Sequence, residues 1–462
     1  MIDFKHIEKY KENNRIEAKK SLGGLPKSIW ETYSAFANTY GGIILLGVIE
    51  LTDKTFKTVN LPEPERLLKE FWEIIEDKEK VSSNILSKKE AVIHEIDGDR
   101  IIAITVPRAD RRCKPVYIGN NPYLGTYRRD GEGDYHCTKE EVDMMLRDKE
   151  ERSVDAGLLE EYAMDVFDYE TVRRYRTYLC DCSTDYDWDQ YSDEDMLLRI
   201  GACGRDFTGR KHPTVAGLLL FGFEDEIVKS FPYFFLDYQE QEEDGSIVER
   251  IISNSGKWSG NLFDFYLRIS GKIIRRLPYD IHKSIREAVA NCMMNSDYFG
   301  NSGLLIIKRK EEILIMNPGN FRIDIVEAIG GGKSDPRNGM IAAILNLVKI
   351  GTRSGKGVPD MYKVWEEKGW KLPSLEESFK EGSITLRLPL YEAMSQKSEE
   401  VIEKQKYIEK IIDFVTRYIN IQKREAEEFL EVEEEVAERI LEEMEAEGIL
   451  VSERQDIYHL KI

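Results

Sequence analysis

Glu287 and Asn291 lie four residues apart in the run Ile285-Arg286-Glu287-Ala288-Val289-Ala290-Asn291. On a helix, residues at i and i+4 share a face, so both side chains point the same way. Two glycine-bearing turns follow, Asn317-Pro318-Gly319 and Gly355-Lys356-Gly357. A carboxylate beside an amide can hold a water and an octahedral Mg2+, and glycine N–H groups can approach phosphates closely. These residue types in this order fit a magnesium-bridged nucleoside triphosphate. A further stretch, Gly330-Gly331-Gly332-Lys333-Ser334, is not a P-loop, because the position of the first glycine holds Glu327.

The elements that must position these residues can be read from pattern. At 462 residues the chain should form roughly three domains. Its 41% apolar content suffices for proper cores, and a formal charge of −20 argues against non-specific coating of DNA or anionic membrane. Six scattered cysteines and a start without a signal-peptide pattern lead us to expect a reduced, cytoplasmic protein. Apolar runs at 43–48 and 218–221 are far below the ~20 residues of a membrane span and read as buried strands. Expected elements in the first segment are an alternating stretch at 13–21, a helix at 28–40 ended by Gly41-Gly42, and a strand at 43–50. A hairpin at 91–96 and 100–106, a strand at 123–129 and a helix at 139–147 follow. Strands are expected at 214–222 and 233–238, then a hairpin at 303–308 and 313–316 and a strand at 383–388.

Glu287-x-x-x-Asn291 with Asp297-Tyr298, then Asn317-Pro318-Gly319, Arg337-Asn338 and Gly355-Lys356-Gly357, resembles the GHKL ATPase fold. It is most similar to the branch in transcriptional regulators described as RecG-like or Schlafen-related, and the resemblance covers about residues 279–390. It implies that Asn291 ligates Mg2+ and that Glu287 orients or deprotonates the attacking water. It also implies that Asn317 and Gly319 border the base, that Gly355 and Gly357 cradle phosphates, and that Lys333 and Arg337 neutralise phosphate charge. Asn295 and Ser296 stand where that branch carries histidine and arginine.

Glu12 to Lys19, Ser34-Ala35-Phe36-Ala37-Asn38-Thr39-Tyr40-Gly41-Gly42 and Gly47-Val48-Ile49-Glu50 resemble the AlbA-like domain shared with Schlafen proteins. Ala18 replaces that family's phenylalanine. In nuclease-active relatives, acids matching Glu12, Glu17 and Glu50 hold a divalent metal, Mg2+ or Mn2+, for phosphodiester cleavage. A basic set, Lys19, Arg108, Arg111, Arg112, Lys114, Arg128 and Arg129, with Tyr117, Tyr123 and Tyr127 nearby, suits contact with nucleic acid.

The last segment has the outline of a winged helix, three helices and a two-strand wing, with the second helix expected at 420–429 and the third at 433–447. Such modules usually read DNA with the third helix. Here residues 397–462 hold 19 acids against 10 bases, so phosphates would be repelled and a protein or a second copy of the chain is the expected partner. The expected architecture is therefore α+β and multi-domain. Residues 1–149 form an AlbA-like domain, 150–278 a connector and middle α/β segment, 279–392 a GHKL-like α/β sandwich, and 393–462 an acidic winged-helix module. The expected function is ATP-binding, nucleic-acid-associated regulation by a homo-oligomer without a membrane partner, in which Mg-ATP alters domain packing. The alternative is an ATP-gated, metal-dependent nuclease, as could serve in phage defence.

Overall fold

The computed structural model describes residues 7, 10, 12–182, 187–351, 355–392, 407–408, 410–411, 414–415, 420–430, 432, 434–446, 450–454 and 457–460. They fall into two compact units, Met1–Tyr391 and Glu392–Ile462.

The first unit opens with β1 (Ile16–Lys19), α1 (Ile29–Asn38), β2 (Gly42–Leu46), β3 (Val48–Glu50), β4 (Phe56–Thr58), α2 (Pro64–Ile75), β5 (Ala91–Ile96) and β6 (Asp99–Val106). One sheet has the order β1-β2-β6-β5, with β1 parallel to β2 and the other pairs antiparallel. Period-two alternation gives it two apolar faces. Ile44, Leu46, Ile102 and Ile104 pack with Phe36 of α1 and Phe71 of α2, while Leu45, Ile101 and Ala103 pack with Ile16 and Phe56. The return from α1 into β2 needs its glycines: Gly41 has φ +71°, and a Cβ on Gly42 would stand 2.7 Å from the Phe36 ring. The strand expected at 43–50 is divided at Gly47, whose φ is +84°.

α3 (Pro122–Gly125), β7 (Tyr127–Asp130), β8 (Gly133–His136) and α4 (Lys139–Lys149) complete this N-terminal module. The strand expected from residue 123 begins as a helical turn. Pro122 occupies its first position, and the Asn121 side chain caps it by accepting the Tyr123 N–H. A Thr138/Glu141 capping box starts α4.

There follow α5 (Tyr169–Cys182), α6 (Asp193–Ile200), β9 (Cys203–Arg205), β10 (Lys211–Pro213), α7 (Val215–Phe221), α8 (Glu224–Ser230), β11 (Leu236–Gln241), β12 (Ile247–Ile252) and α9 (Leu262–Ile273). Then come α10 (His282–Asn295), β13 (Leu304–Lys308), β14 (Glu312–Pro318), α11 (Ile325–Gly330), α12 (Gly339–Leu347), α13 (Gly357–Glu367), β15 (Ser374–Ser378) and β16 (Ser383–Pro389). Two expectations fail here. The strand expected at 214–222 is the helix α7. An apolar run buried on every side carries no period to tell strand from helix. Thr214 decides the matter, its hydroxyl capping α7 by accepting the Gly217 N–H at 3.1 Å. Nor does a core boundary fall at 278. The six-stranded sheet has the order β12-β11-β13-β14-β16-β15, so it draws two strands from before α9 and α10 and four from after them into one core reaching from Val166 to Leu388. Pro278 marks a turn between two helices, not a gap between domains.

In the second unit, β17 (Asn420–Gln422), the helices Lys423–Leu430 and Glu434–Ala446, β18 (Leu450–Arg454) and β19 (Ile457–Leu460) surround Ile421, Leu430, Leu441 and Leu450. The helix expected from residue 420 starts three residues later, because Asn420–Gln422 pairs with β19. The helix expected ahead of it lies largely outside the described residues. Among the described residues, no helix is long and apolar enough to cross a membrane.

Candidate nucleotide pocket and its arginine clamp

A cavity of about 150 Å3 lies among α10, β14, β16, the start of α13 and the segment 320–337. The spacing along α10 divides its faces. Ile285, Val289 and Met293 enter the core, while Glu287 and Asn291 line the cavity, as their four-residue separation requires. Ile315, Leu375, Ile384 and Leu386 form an apolar wall, with buried Asn317 beside them. The residues in place of the resemblance's histidine and arginine fold back on α10. Asn295 Nδ2 donates to the Asn291 carbonyl at 2.9 Å, and Ser296 Oγ to that of Cys292 at 2.8 Å.

The glycine pair at the mouth has a packing reason. A Cβ on Gly357 would stand 2.6 Å from Glu287 Oε1, and one on Gly355 (φ +64°) would stand 2.5 Å from the Lys333 carbonyl oxygen. Among the described residues no side chain caps α13, whose first residue, Gly357, lies beside Glu287. Lys333 stands at the rim, exposed and paired with Glu327 at 2.5 Å. The residues present thus fit a magnesium-bound phosphate chain: an amide, a carboxylate, a helix N-terminus and an exposed lysine.

Arg337 requires a correction. It was expected to neutralise phosphate, but its guanidinium is buried and already engaged. Nε and Nη2 donate to the Asp148 carboxylate at 3.0 and 2.8 Å, Nη1 to the Asn295 carbonyl at 2.8 Å, and Nη2 to that of Asn320 at 2.9 Å. Burial works against its charge, and Asp148 more than restores it, leaving its pKa above the ordinary arginine value. Gly319 (φ +102°) makes room, since a Cβ there would meet the Arg337 Nη1 at 2.0 Å. Asn338 donates to the Met294 and Ser296 carbonyls at 3.1 and 2.7 Å. The Arg-Asn pair therefore clamps the end of α10 to the Asn-Pro-Gly turn and to α4.

The expected basic set for nucleic acid is mostly spent inside the fold. Arg108 pairs with Glu377 at 2.5 Å and donates to the Phe321 carbonyl, and Arg111 pairs with Asp335 at 2.5 Å. Lys114 is buried, donating to the Asn38 carbonyl at 2.7 Å. Arg128 pairs with Glu141 at 3.0 Å, and buried Arg129 pairs with Glu17 and Asp134, each at 2.9 Å. Lys19 bonds Glu17 at 2.8 Å. Arg112 remains exposed, beside Asp110. Hydropathy pattern cannot report burial of a cation whose partner lies 200 residues away.

The three acids do approach one another. Glu12 N–H lies 3.4 Å from Glu50 Oε1, and Glu12 Oε1 accepts the Ala18 N–H at 3.1 Å. Burial, then the neighbouring charges of Glu17 and Glu50, raises the Glu12 pKa. Yet Glu17 is held by Arg129 and Lys19, and Glu50 by Lys54 at 3.1 Å. Among the described residues, no group of three or more His, Cys, Asp or Glu side chains is arranged to hold a metal ion. The metal site expected at Glu12, Glu17 and Glu50 is not assembled in this arrangement, because cations occupy two of the three carboxylates and the third accepts a backbone N–H.

Comparison with known proteins bears on both regions. Residues 12–138 match the family described as "Schlafen, AlbA_2", and residues 306–386 match "Putative ATP-dependent DNA helicase recG C-terminal". This chain joins a Schlafen AlbA_2 domain to a recG C-terminal domain. Residues 143–237 match a domain of unknown function, DUF8451. The recG C-terminal match begins within β13, so α10, with Glu287 and Asn291, lies ahead of it and joins it through the pocket. Asp148 falls in the third match, so the arginine clamp ties that segment to the recG C-terminal domain. The DIP2311 protein of Corynebacterium diphtheriae is similar over 97% of this chain and 79% of its own, at 15% identity and a TM-score of 0.42. The N-terminal domain of a RecG-related protein from Nitrosomonas europaea matches 30% of this chain and 96% of its own, at 29% identity and a TM-score of 0.24. No curated protein matches.

Proposed function

We propose that the chain binds Mg-ATP in the pocket against α10 and that nucleotide resets the packing of the AlbA_2 domain, making this a nucleotide-responsive regulator that acts with nucleic acid. One observation carries the reading. The segment 320–337 is at once a wall of the pocket and the surface on which Arg108, Arg111 and Asp148 are seated. At about 150 Å3 the cavity is smaller than the ~300–1,000 Å3 of most ligand pockets. We infer that a nucleotide enters by displacing that segment, and that the ion pairs it carries move too. A ligand shifts such an equilibrium only by its unequal affinity for the two arrangements, about 5.5 kcal/mol for a full reversal from 1:99 to 99:1.

Asn291 would hold the metal, Glu287 would orient water, and Asn317 would meet the base. Bound Mg2+ would neutralise phosphate charge. Exposed Arg15, Lys20, Lys27 and Arg112 are among the cations on the AlbA_2 surface that could meet DNA or RNA. The acidic helix Glu434–Ala446 suits a protein partner or a second copy. Calorimetry of the full chain with ATP and Mg2+ should give saturable heat that Asn291→Ala removes. Anisotropy titration of single-stranded DNA and RNA should then give different affinities with and without Mg-ATP. Absence of heat with the unaltered chain would overturn the proposal.

A further inference from the structure

A second, smaller void of about 30 Å3 lies where the N-terminal module meets the six-stranded-sheet domain. Four cations line it, Arg108, Arg111, Lys114 and Arg322, against one acid, Asp148. Pairing accounts for half of them. Arg108 is matched by Glu377, Arg111 by Asp335, and Asp148 is itself matched by Arg337. Lys114 has no ion-paired acid among the described residues, and Arg322 only shares Asp148 and Asp335 with Arg337 and Arg111, its Nη2 also donating to the Asp148 carbonyl at 3.4 Å.

Both are about nine-tenths buried. Among the described residues no carboxylate forms an ion pair with Lys114, whose ammonium has the Asn38 carbonyl at 2.7 Å and the Phe379 ring centroid at 5.9 Å. Arg322 Nη1 donates to the Pro336 carbonyl at 3.0 Å. Its Nε is buried without a hydrogen-bond partner, 3.9 Å from Asp148 Oδ1, and its Nη2 is 3.5 Å from Asp335 Oδ1. Those two acids already serve Arg337 and Arg111. A buried cation without a counter-charge costs several kcal/mol, and a guanidinium cannot escape by losing its proton. Lys114 can: burial, then the charge of Arg108, pulls its pKa down to about 7. Water would satisfy the N–H groups but not the charge.

We propose that this void is a binding site for a phosphate group, held by Lys114 of the N-terminal module and Arg322 of the pocket wall. Its volume is that of one or two water-sized groups, so a phosphate group enters with its walls moving slightly apart, and a base or sugar does not fit. One or two negative charges would balance the two spare cations. Arg322 also lines the nucleotide cavity, so the phosphate group is either free inorganic phosphate or the end of a nucleotide chain. The site does not require that the larger cavity take ATP.

The test uses the full chain at pH 7 in phosphate-free buffer at constant ionic strength, with inorganic phosphate and ATP as separate ligands and thermal unfolding and calorimetry as readouts. Phosphate should raise Tm saturably. Lys114→Met and Arg322→Gln should each weaken this by about tenfold or more, while Asn291→Ala leaves it intact. Lys114→Met should also melt no lower than the unaltered chain without phosphate, because a buried charge has gone. Should ATP alone give a response that both variants abolish, the site stands and its phosphate is the nucleotide's. If phosphate acts and ATP does not bind, the site stands and the nucleotide reading falls. A phosphate response untouched by either variant, one lost only in Asn291→Ala, or no response to either ligand overturns the proposal.

Discussion

The two regions richest in functional residue types behave in opposite ways. Around α10, residues separated by up to 70 positions are brought to one cavity: Glu287, Asn291, Asn317, Lys333, Gly355 and Gly357. In the N-terminal module, Arg108, Arg111 and Lys114 lie within seven positions, and each is drawn into the junction with the sheet domain instead of facing solvent. The difference teaches what each residue type reports. A glycine whose added Cβ would stand under 3 Å from Glu287 or Arg337 is a local, steric demand that any side chain would violate. A cation is satisfied equally by solvent, by nucleic acid or by a distant carboxylate, so its spacing says little about which one it meets.

The largest expected effect comes from breaking the clamp. Asp148→Ala leaves Arg337 buried without its partner and should cost ~3–5 kcal/mol in denaturant unfolding. A loss below ~1 kcal/mol would mean that the junction is not the buried charge network described. Gly357→Ala sharpens the other side of the comparison. Its methyl would press on Glu287 Oε1 at 2.6 Å, so it should cost ~1–3 kcal/mol and abolish nucleotide heat, while the AlbA_2 domain's own amide protection stays unchanged.

A smaller effect tests Lys114 by pH. It faces Arg108, Glu377, Asp148 and Cys137, and its folded pKa of about 7 lies below the ordinary 10.5. Between those values the unfolded chain binds more protons than the folded one. Stability must therefore rise with pH across this window, by on the order of 1 kcal/mol per pH unit. Subtracting the profile of Lys114→Met isolates this slope; equal profiles would show that Lys114 keeps its charge when folded. Smallest of all, Arg112→Ala should change stability by less than about 0.5 kcal/mol, because Arg112 is exposed. If nucleic acid uses the surviving cations, the same change lowers its affinity measurably in anisotropy titrations.

Much of the pocket was legible because helix spacing and glycine sterics are encoded within a few residues. Arg337 was read in the right place with the wrong partner: its neighbour in the fold is Asp148, and nothing in Arg147-Asp148-Lys149-Glu150 distinguishes that acid from its neighbours. Arg322, Asp335 and Glu377 were invisible for the same reason. The α7 run lacked a period, and only the Thr214 cap separates helix from strand. The sheet that crosses residue 278 was hidden because parallel pairing of β11 with β13 spans three intervening elements. The acids Glu12, Glu17 and Glu50 resemble a metal-holding set by their spacing, and nothing local to them shows that Arg129, Lys19 and Lys54 occupy Glu17 and Glu50.

Residues 320–337 both wall the pocket and seat the N-terminal module, so nucleotide at one should be felt at the other. Amide hydrogen exchange on the full chain, with and without Mg-ATP, tests it directly. Exchange in residues 320–337 and in residues 108–114 should change together on adding nucleotide, and neither should change in Asn291→Ala. A change confined to 320–337, with 108–114 unmoved at saturating nucleotide, would contradict the account.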